Sequence, residues 1–376
     1  MSVIWIILAG LLIFIVSLVL FVQYKKKKKT HRIRMNPMSN GIDCREFVTI
    51  GGISQYLHHR GEDIDNPVML FLHGGPGEPI LPFAQEFQIP WEKRVTVVHW
   101  DQRNCGKTYF NNDPKQVAPT VTVDRLVQDT YEIVNYLRRK YHKEKIIILG
   151  HSWGSVLGSL FSKQYPELVQ VYIGVGQVVN MKDNERVGYE KVLEAAKMAG
   201  NDIDYRDLLR LKPYPPLAFD DDMIKKLMKV RKYQRKYKLS AGPTTELIAN
   251  ALSSPFYTLK DMRYFFISGA FGDGQRPIWK YLCESFDLST MDAAFEMPVF
   301  YIHGERDWQT PYPLAQEFFL TIQAPLKLFY SIPEAGHIPM LERKEKFNEA
   351  LFDILERANV TAKTKKSLHR SPVGTG

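Results

Sequence analysis

The segment Gly150–Gly154 constrains the fold more than any other part of the sequence. It reads Gly-His-Ser-Trp-Gly and lies between a short apolar run that ends at Leu149 and a helix-like stretch that ends before Pro166. Glycines on both sides of a serine permit a sharp strand-to-helix turn, which holds the serine hydroxyl outward at the N-terminal end of the helix. The five-residue pattern alone arises by chance in many chains, so its placement is the informative observation. We predict that Ser152 is a nucleophile at the end of a buried strand.

Apolar runs typical of buried strands alternate with amphipathic runs typical of helices from residue 44 to 177 and again from 291 to 360. This alternation predicts an α/β fold in which helices cover both faces of a mostly parallel sheet. The predicted strands are 46–50, 53–58, 68–72, 95–100, 145–149, 169–175, 299–302 and 326–330. The predicted helices include one capped by Thr122, and others at 153–164, 313–321 and 342–357.

Between residues 178 and 290 the alternation stops, and helix-like patterns dominate, as at 185–198, 220–238 and 258–267. We predict that this segment is a helical cap inserted into the sheet domain. Residues 225–238 carry eight basic side chains. We interpret them as the solvent-facing side of an amphipathic helix rather than as a surface that binds a membrane.

An uncharged apolar run lies near the N-terminus. Residues 3–22 are interrupted only by Gly10 and Ser17, and a run of about 20 apolar residues is long enough to cross a bilayer. A cleaved signal peptide is the alternative, but the run has neither a basic start nor a small-residue cleavage site. We predict a transmembrane anchor over residues 1–24 and an irregular basic linker over 25–43. Because five lysines, Lys25–Lys29, follow the run, we expect a single-pass protein whose C-terminal part is cytoplasmic.

The formal charge of +9 is concentrated outside the predicted domain. Eleven of the 50 basic residues lie in segments 25–34 and 361–376, which contain no acid, and this leaves 39 basic residues against 41 acidic ones. A near-neutral body gives no reason to expect nucleic-acid binding, whereas basic tails suit anionic headgroups beside a membrane. The three cysteines are too scattered to predict disulfides or a zinc site. No phosphate loop, dinucleotide fingerprint or metal-ligand cluster stands out, so we expect no metal and no cofactor.

A serine hydroxyl becomes nucleophilic when a base accepts its proton and an acid orients that base. For a serine on such a turn, the expected chain order is serine, acid, histidine. Asp307 follows the strand 299–302, and His337 lies beyond the next strand, after a glycine. Glu305 is the nearest alternative to Asp307. Other histidines fit less well, because they lie in the tails, in the N-terminal hairpin or at a helix end. We predict that Ser152, Asp307 and His337 form a catalytic triad.

A glycine-rich turn supplies the last part of the predicted site. His73-Gly74-Gly75-Pro76-Gly77 directly follows the strand 68–72. A backbone N–H in such a turn can point at a developing negative charge, as can the N–H of the residue after the nucleophile. We predict that Gly75 and Trp153 form an oxyanion hole.

Five motifs together resemble the proline iminopeptidase branch of the α/β hydrolases, over roughly residues 44 to 358. They are HGGPG (73–77), DQRNCGKT (101–108), GHSWGS (150–155), HGERDWQTP (303–311) and AGH (335–337). The resemblance implies the same triad and oxyanion residues, with DQR supporting the site from a neighbouring strand. It also implies that acidic cap residues bind the free amine of a peptide. This cap lacks the W-x-x-W-E pattern of many members, and His151 stands where a glycine is common in that branch.

Two enzymatic functions stay open, because they use the same machinery. One is an aminopeptidase or amidase acting on short peptides, and the other is a hydrolase of small or lipophilic carboxylic esters. A catalytically silent binding protein is a third possibility, although such proteins normally lose a triad residue. An epoxide hydrolase or dehalogenase would need an acid at position 152. A charged amine beneath a cap requires a carboxylate partner, and the candidates are Asp183, Glu185, Glu190, Glu246 and Glu284.

Overall fold

The computed structural model describes residues 2–34, 40–216, 218–240 and 244–359. Its centre is an eight-stranded sheet in the order β1-β2-β4-β3-β5-β6-β7-β8. Strands β1 and β2 form an antiparallel hairpin, β2 and β4 are also antiparallel, and every other neighbouring pair in this sheet is parallel. The strands are β1 (Ile42–Ile50), β2 (Ile53–Gly61), β3 (Val68–Leu72), β4 (Thr96–Asp101), β5 (Ile146–His151), β6 (Val169–Val175), β7 (Val299–Gly304) and β8 (Lys327–Ile332). The predicted mostly parallel sheet is confirmed.

Along the chain, α-helices lie before the first strand, between later strands and after the last one. They are α1 (Ser2–Arg34), α2 (Gly106–Phe110), α3 (Pro114–Val117), α4 (Val123–Tyr141), α5 (Trp153–Gln164), α6 (Met181–Met198), α7 (Asp202–Leu209), α8 (Asp221–Lys236), α9 (Thr244–Leu252), α10 (Leu259–Met262), α11 (Tyr264–Ile267), α12 (Arg276–Glu284), α13 (Tyr312–Thr321), α14 (Pro339–Glu342) and α15 (Lys344–Arg357). Thr122 caps α4 as predicted, since its side chain accepts a hydrogen bond from the N–H of Arg125.

The central strands are buried on both faces, which explains their unbroken apolar sequences. In β3, Leu70 and Leu72 belong to one hydrophobic cluster, with residues of α4, α5 and α13. Met69 and Phe71 belong to the opposite cluster, with residues of α15. Successive side chains of a strand point to opposite faces, so helices cover both sides of the sheet.

In the described part of the segment between β6 and β7, where the sequence predicts a cap, there are seven α-helices, α6 to α12. Their own small core includes Tyr189, Val192, Leu208, Val230 and Tyr233. The predicted helix 258–267 is divided into α10 and α11. The domain boundaries themselves stay predictions.

The predicted irregular linker over residues 25–43 is wrong for its first part, because α1 continues to Arg34; β1 begins at Ile42. Lysine and arginine are favourable helix residues, and two lysines of this segment also contact the body. Lys26 Nζ donates to the carbonyl oxygen of Tyr257 at 2.9 Å, and Lys29 Nζ lies 2.7 Å from Glu86 Oε1. Within the described residues one helical stretch, Trp5–His31, is long and apolar enough to cross a membrane, a property that signal sequences share. The predicted tail 361–376 lies outside the described residues.

Candidate active site

The turn between β5 and α5 requires glycine at both flanking positions. A Cβ at Gly154 would lie 2.0 Å from the carbonyl oxygen of Leu72, and one at Gly150 would lie 2.2 Å from that of Gly154. Ser152 itself has φ 55° and ψ −120°, a conformation that costs free energy for a residue with a side chain. Its N–H donates to the carbonyl oxygen of Val175 at 2.9 Å, which ties the turn to β6. The serine is therefore held at the carboxyl end of the sheet.

The structure brings the three predicted triad residues together. His337 Nε2 lies 2.9 Å from Ser152 Oγ, and His337 Nδ1 lies 2.8 Å from Asp307 Oδ2. All three side chains are buried, Asp307 completely. Glu305, the alternative acid, is exposed. A serine, a histidine and a carboxylate in this order form a path along which a proton can leave the hydroxyl.

Asp307 is held as a carboxylate by the groups around it. Its Oδ1 accepts the N–H groups of Gln309 and Thr310, both at 3.0 Å, and Oδ2 also accepts the Thr310 hydroxyl at 2.7 Å. Burial alone would raise the pKa of Asp307. The charge and hydrogen bond of His337, together with His303 and Thr310, outweigh burial and leave this pKa well below its usual range. The acid can therefore stabilise a protonated His337.

The side chains of Glu342 and His151 fix the backbone at His337 and at the residues before and after it. Glu342 accepts the N–H groups of Gly336 and Ile338, each at 2.9 Å. His151 Nε2 donates to the carbonyl oxygen of His337 at 2.8 Å. Burial and the charge of His337 lower the pKa of His151 to about 3, so it is neutral at physiological pH. Sequence reasoning missed Glu342, and the available signal was an acid in the helical turn that follows the histidine.

The two predicted oxyanion residues border one small cavity of about 30 Å³ together with Ser152. Trp153 is the first residue of α5, so its N–H has no acceptor within the helix. Gly75 has φ 109°, which favours glycine. Gln102 connects the two segments, because its amide donates to the His73 carbonyl oxygen at 3.2 Å and its oxygen accepts the Trp153 indole N–H at 3.0 Å. This is the support from the DQR motif that the resemblance implies.

A larger cavity of about 250 Å³ lies over Ser152 and His337. Its wall is mostly apolar, and the one carboxylate among its described lining residues is Glu78, which directly follows the HGGPG turn. Sequence reasoning missed Glu78, because only cap residues were considered as partners for a substrate amine. The lining residues are Gly74, Gly75, Glu78, Pro79, Ile80, Phe83, His151, Ser152, Phe265, Gln309, His337, Ile338 and Leu341.

The cap acids are placed differently from what the sequence predicts. Glu185 is buried, but Arg231 and Tyr214 already donate hydrogen bonds to its carboxylate. Four of the five predicted acids have described side chains, and none of these four lines either cavity. Instead, the cap contributes Arg231 and Trp279 to the small cavity. The other three described candidates are exposed or half-exposed at the surface: Asp183 and Glu190, which pair with Arg186, and Glu284, which accepts the N–H of Phe219. The side chain of Glu246 lies outside the described part.

Among the described residues, no group of three or more histidine, cysteine or acidic side chains could hold a metal ion.

Comparison with known proteins agrees with this architecture. Residues 67–344 match the family model described as alpha/beta hydrolase fold. The chain belongs to the α/β hydrolase fold family. It is 30% identical over 322 residues to the probable aminopeptidase YbaC of Bacillus subtilis (strain 168), a match that covers 84% of this chain and 98% of that protein. The proline iminopeptidase of Neisseria gonorrhoeae is 29% identical over 124 residues, which are 33% of this chain and 37% of that one.

A solved structure supports the fold. The proline iminopeptidase-related protein of Thermus thermophilus superposes with a TM-score of 0.61 and 23% identity, over 85% of this chain and 99% of that one. The predicted fold class and the resemblance to the proline iminopeptidase branch of the α/β hydrolases are confirmed, and the protein is a hydrolase.

Proposed function

We propose that this α/β hydrolase is a serine aminopeptidase that releases the N-terminal residue of short peptides or aminoacyl amides through an acyl-enzyme. The observation that carries the proposal is the hydrogen-bonded path from Ser152 through His337 to Asp307, with both distances below 3.0 Å. Such a path makes a hydroxyl nucleophilic at neutral pH.

In the proposed reaction, Ser152 Oγ attacks the carbonyl carbon of the substrate while His337 Nε2 accepts the hydroxyl proton. Asp307 stabilises the resulting imidazolium through the bond to Nδ1, and the N–H groups of Gly75 and Trp153 stabilise the oxyanion. His337 then donates the proton to the leaving amine, and the C–N bond breaks. A water molecule then attacks the acyl carbon while His337 accepts one of its protons. The bond between the acyl carbon and Ser152 Oγ breaks, His337 returns the proton to Ser152, and the carboxylic acid product is released.

The proposed substrate class rests on a relative whose match covers most of both chains. The probable aminopeptidase of B. subtilis aligns with 84% of this chain and 98% of its own length. Ester hydrolysis is the second candidate, and the apolar wall of the larger cavity favours it, since Ile80, Phe83 and Leu341 would suit an acyl chain.

Substrate profiling distinguishes the two candidates. A purified protein lacking residues 1–24 would be assayed with alanine and proline p-nitroanilides, with their N-acetylated forms and with p-nitrophenyl butyrate. The aminopeptidase proposal expects cleavage of the free-amine anilides and refusal of the acetylated ones. Equal cleavage of both forms, or activity on the ester alone, would replace it with the esterase. No turnover of any of these compounds by a protein that binds them would favour a silent binding protein.

We further propose that α1 is a single-pass membrane anchor and that the enzyme domain lies in the cytoplasm. The apolar composition of Trp5–His31 and the five lysines Lys25–Lys29 support this arrangement. Protease added to intact cells should leave the domain undigested, whereas protease added after permeabilisation should degrade it. Digestion in intact cells would reverse the orientation.

A further inference from the structure

Glu78 is the one acidic residue among the described residues that line the larger cavity. It follows the HGGPG turn, and its backbone N–H donates to the carbonyl oxygen of Gly74 at 3.2 Å. That cavity, of about 250 Å³, is also lined by Ser152 and His337. Because this turn also carries Gly75, the carboxylate and the proposed oxyanion hole belong to one short segment.

This carboxylate has no partner among the described residues, since it makes neither a side-chain hydrogen bond nor an ion pair with them. The charges of His337 and Arg235 act on it only from beyond ion-pair distance. Glu78 is exposed to solvent, but nearby protein atoms still desolvate its carboxylate and raise the pKa of Glu78. A carboxylate in such surroundings gains free energy when a cation pairs with it.

No described acid of the cap lines either cavity. Glu185 is already bonded to Arg231, and Asp183 and Glu190 are paired at the surface with Arg186. An amine bound beneath the cap would therefore find its free carboxylate in the core domain.

We propose that Glu78 binds the protonated α-amino group of the substrate, so that selectivity for a free amino terminus resides in the turn of the oxyanion hole rather than in the cap. This inference rests on the proposed aminopeptidase function. In an aminoacyl substrate the amine is two bonds from the carbonyl carbon, so its partner must lie close to Ser152. An α-amino group with a pKa of about 8 is a cation at neutral pH, which matches the negative charge of Glu78. One rigid turn would then fix the distance between amine and oxyanion.

The test compares kcat/KM of the wild type with those of Glu78→Gln, Glu78→Asp and the control Glu190→Gln, which removes an exposed cap acid. The substrates are alanine p-nitroanilide, its N-acetylated form and p-nitrophenyl butyrate, and a fluorophosphonate probe measures the reactivity of Ser152. For Glu78→Gln we expect kcat/KM for the free-amine anilide to fall roughly 100-fold or more, because the ammonium loses its ion-pair partner. Ester hydrolysis and probe labelling should change little. Glu78→Asp should give an intermediate loss, and Glu190→Gln should behave like the wild type.

Different results overturn different proposals. If the wild type prefers the free amine and Glu78→Gln keeps that preference, the role of Glu78 is wrong and the aminopeptidase function stands. If the wild type cleaves both anilides equally, or only the ester, the aminopeptidase function fails and the Glu78 proposal with it. Equal losses on ester and anilide in both Glu78 variants would contradict a role in specificity.

Discussion

Replacing Asp307 with asparagine tests the triad, because it changes which ring nitrogen of His337 carries the proton. Oδ1 of Asp307 accepts two backbone N–H groups, so an acceptor must stay at that position. The amide oxygen of asparagine would therefore occupy the Oδ1 site, and its NH₂ group would face His337 Nδ1 and the Thr310 hydroxyl. Nδ1 would then accept a hydrogen bond and Nε2 would carry the proton. A histidine in this tautomer cannot take the proton of Ser152.

The expected loss follows from the precedent of the same change in a serine protease triad, where kcat falls about 10⁴-fold. That factor corresponds to about 5.4 kcal/mol of transition-state stabilisation. The fold should survive, because both backbone hydrogen bonds to Oδ1 are kept. We would measure kcat with alanine p-nitroanilide and the rate at which a fluorophosphonate labels Ser152, since the second readout does not depend on the substrate. Urea unfolding would check that the variant is folded.

Glu305→Gln is the matched control, because Glu305 precedes Asp307 by two residues but is exposed. Its turnover should stay within a few-fold of the wild type. A folded Asp307→Asn variant that keeps more than about a tenth of wild-type turnover would refute the tautomer argument and the 10⁴-fold loss taken from precedent. A larger loss in Glu305→Gln would transfer the acid role to that residue.

Three further changes probe the nucleophile, the core and the pH dependence of stability. Ser152→Ala should abolish fluorophosphonate labelling, and labelling of another serine in that variant would show that the nucleophile is elsewhere. Arg60→Met should lower the free energy of unfolding in urea by about 3–5 kcal/mol, because it leaves the buried Glu92 without the two 2.9 Å hydrogen bonds from the guanidinium; a change below about 1 kcal/mol would contradict this. Burial raises the pKa of Asp101 to about 7, although a hydrogen bond from Tyr257 acts in the opposite direction. Protonated Asp101 therefore stabilises the fold in acid, and this contribution to the free energy of unfolding is lost as the pH rises through 7. The free energy of unfolding of Asp101→Asn should therefore depend less on pH between 5 and 8, and an unchanged slope would remove Asp101 as the cause.

The proximity of Ser152, Asp307 and His337 could be predicted from the sequence, because each residue follows a strand that the sequence also predicts. Once strands ending near Leu149, Ile302 and Tyr330 are assigned to one parallel sheet, the residues after them meet at a single edge. The sheet order and the distances between side chains need the structure, since no local pattern encodes them.

The features that sequence reasoning missed depend on tertiary contacts. Glu78 could not be recognised from the sequence, because only the fold places it in the lining of a cavity. Glu185 is not free to bind a substrate, because Arg231 and Tyr214 already donate hydrogen bonds to its carboxylate. The helix through residues 25–34 has no apolar periodicity, and two of its lysines find partners in the body that are distant in sequence. In each of these cases, the residue that determines the environment is dozens of positions away in the sequence.

The contact between Lys29 and Glu86 has a consequence for how substrates reach the enzyme. Glu86 ends the short 3₁₀ helix Leu81–Glu86, and Phe83 of this helix lines the larger cavity. If α1 crosses a bilayer, the body cannot rotate freely at the end of a flexible tether, and the cavity wall stays one helical turn from the anchor. A substrate that partitions to the membrane surface would then meet the enzyme by diffusion in two dimensions, with its local concentration set by the lipid rather than by the bulk solution.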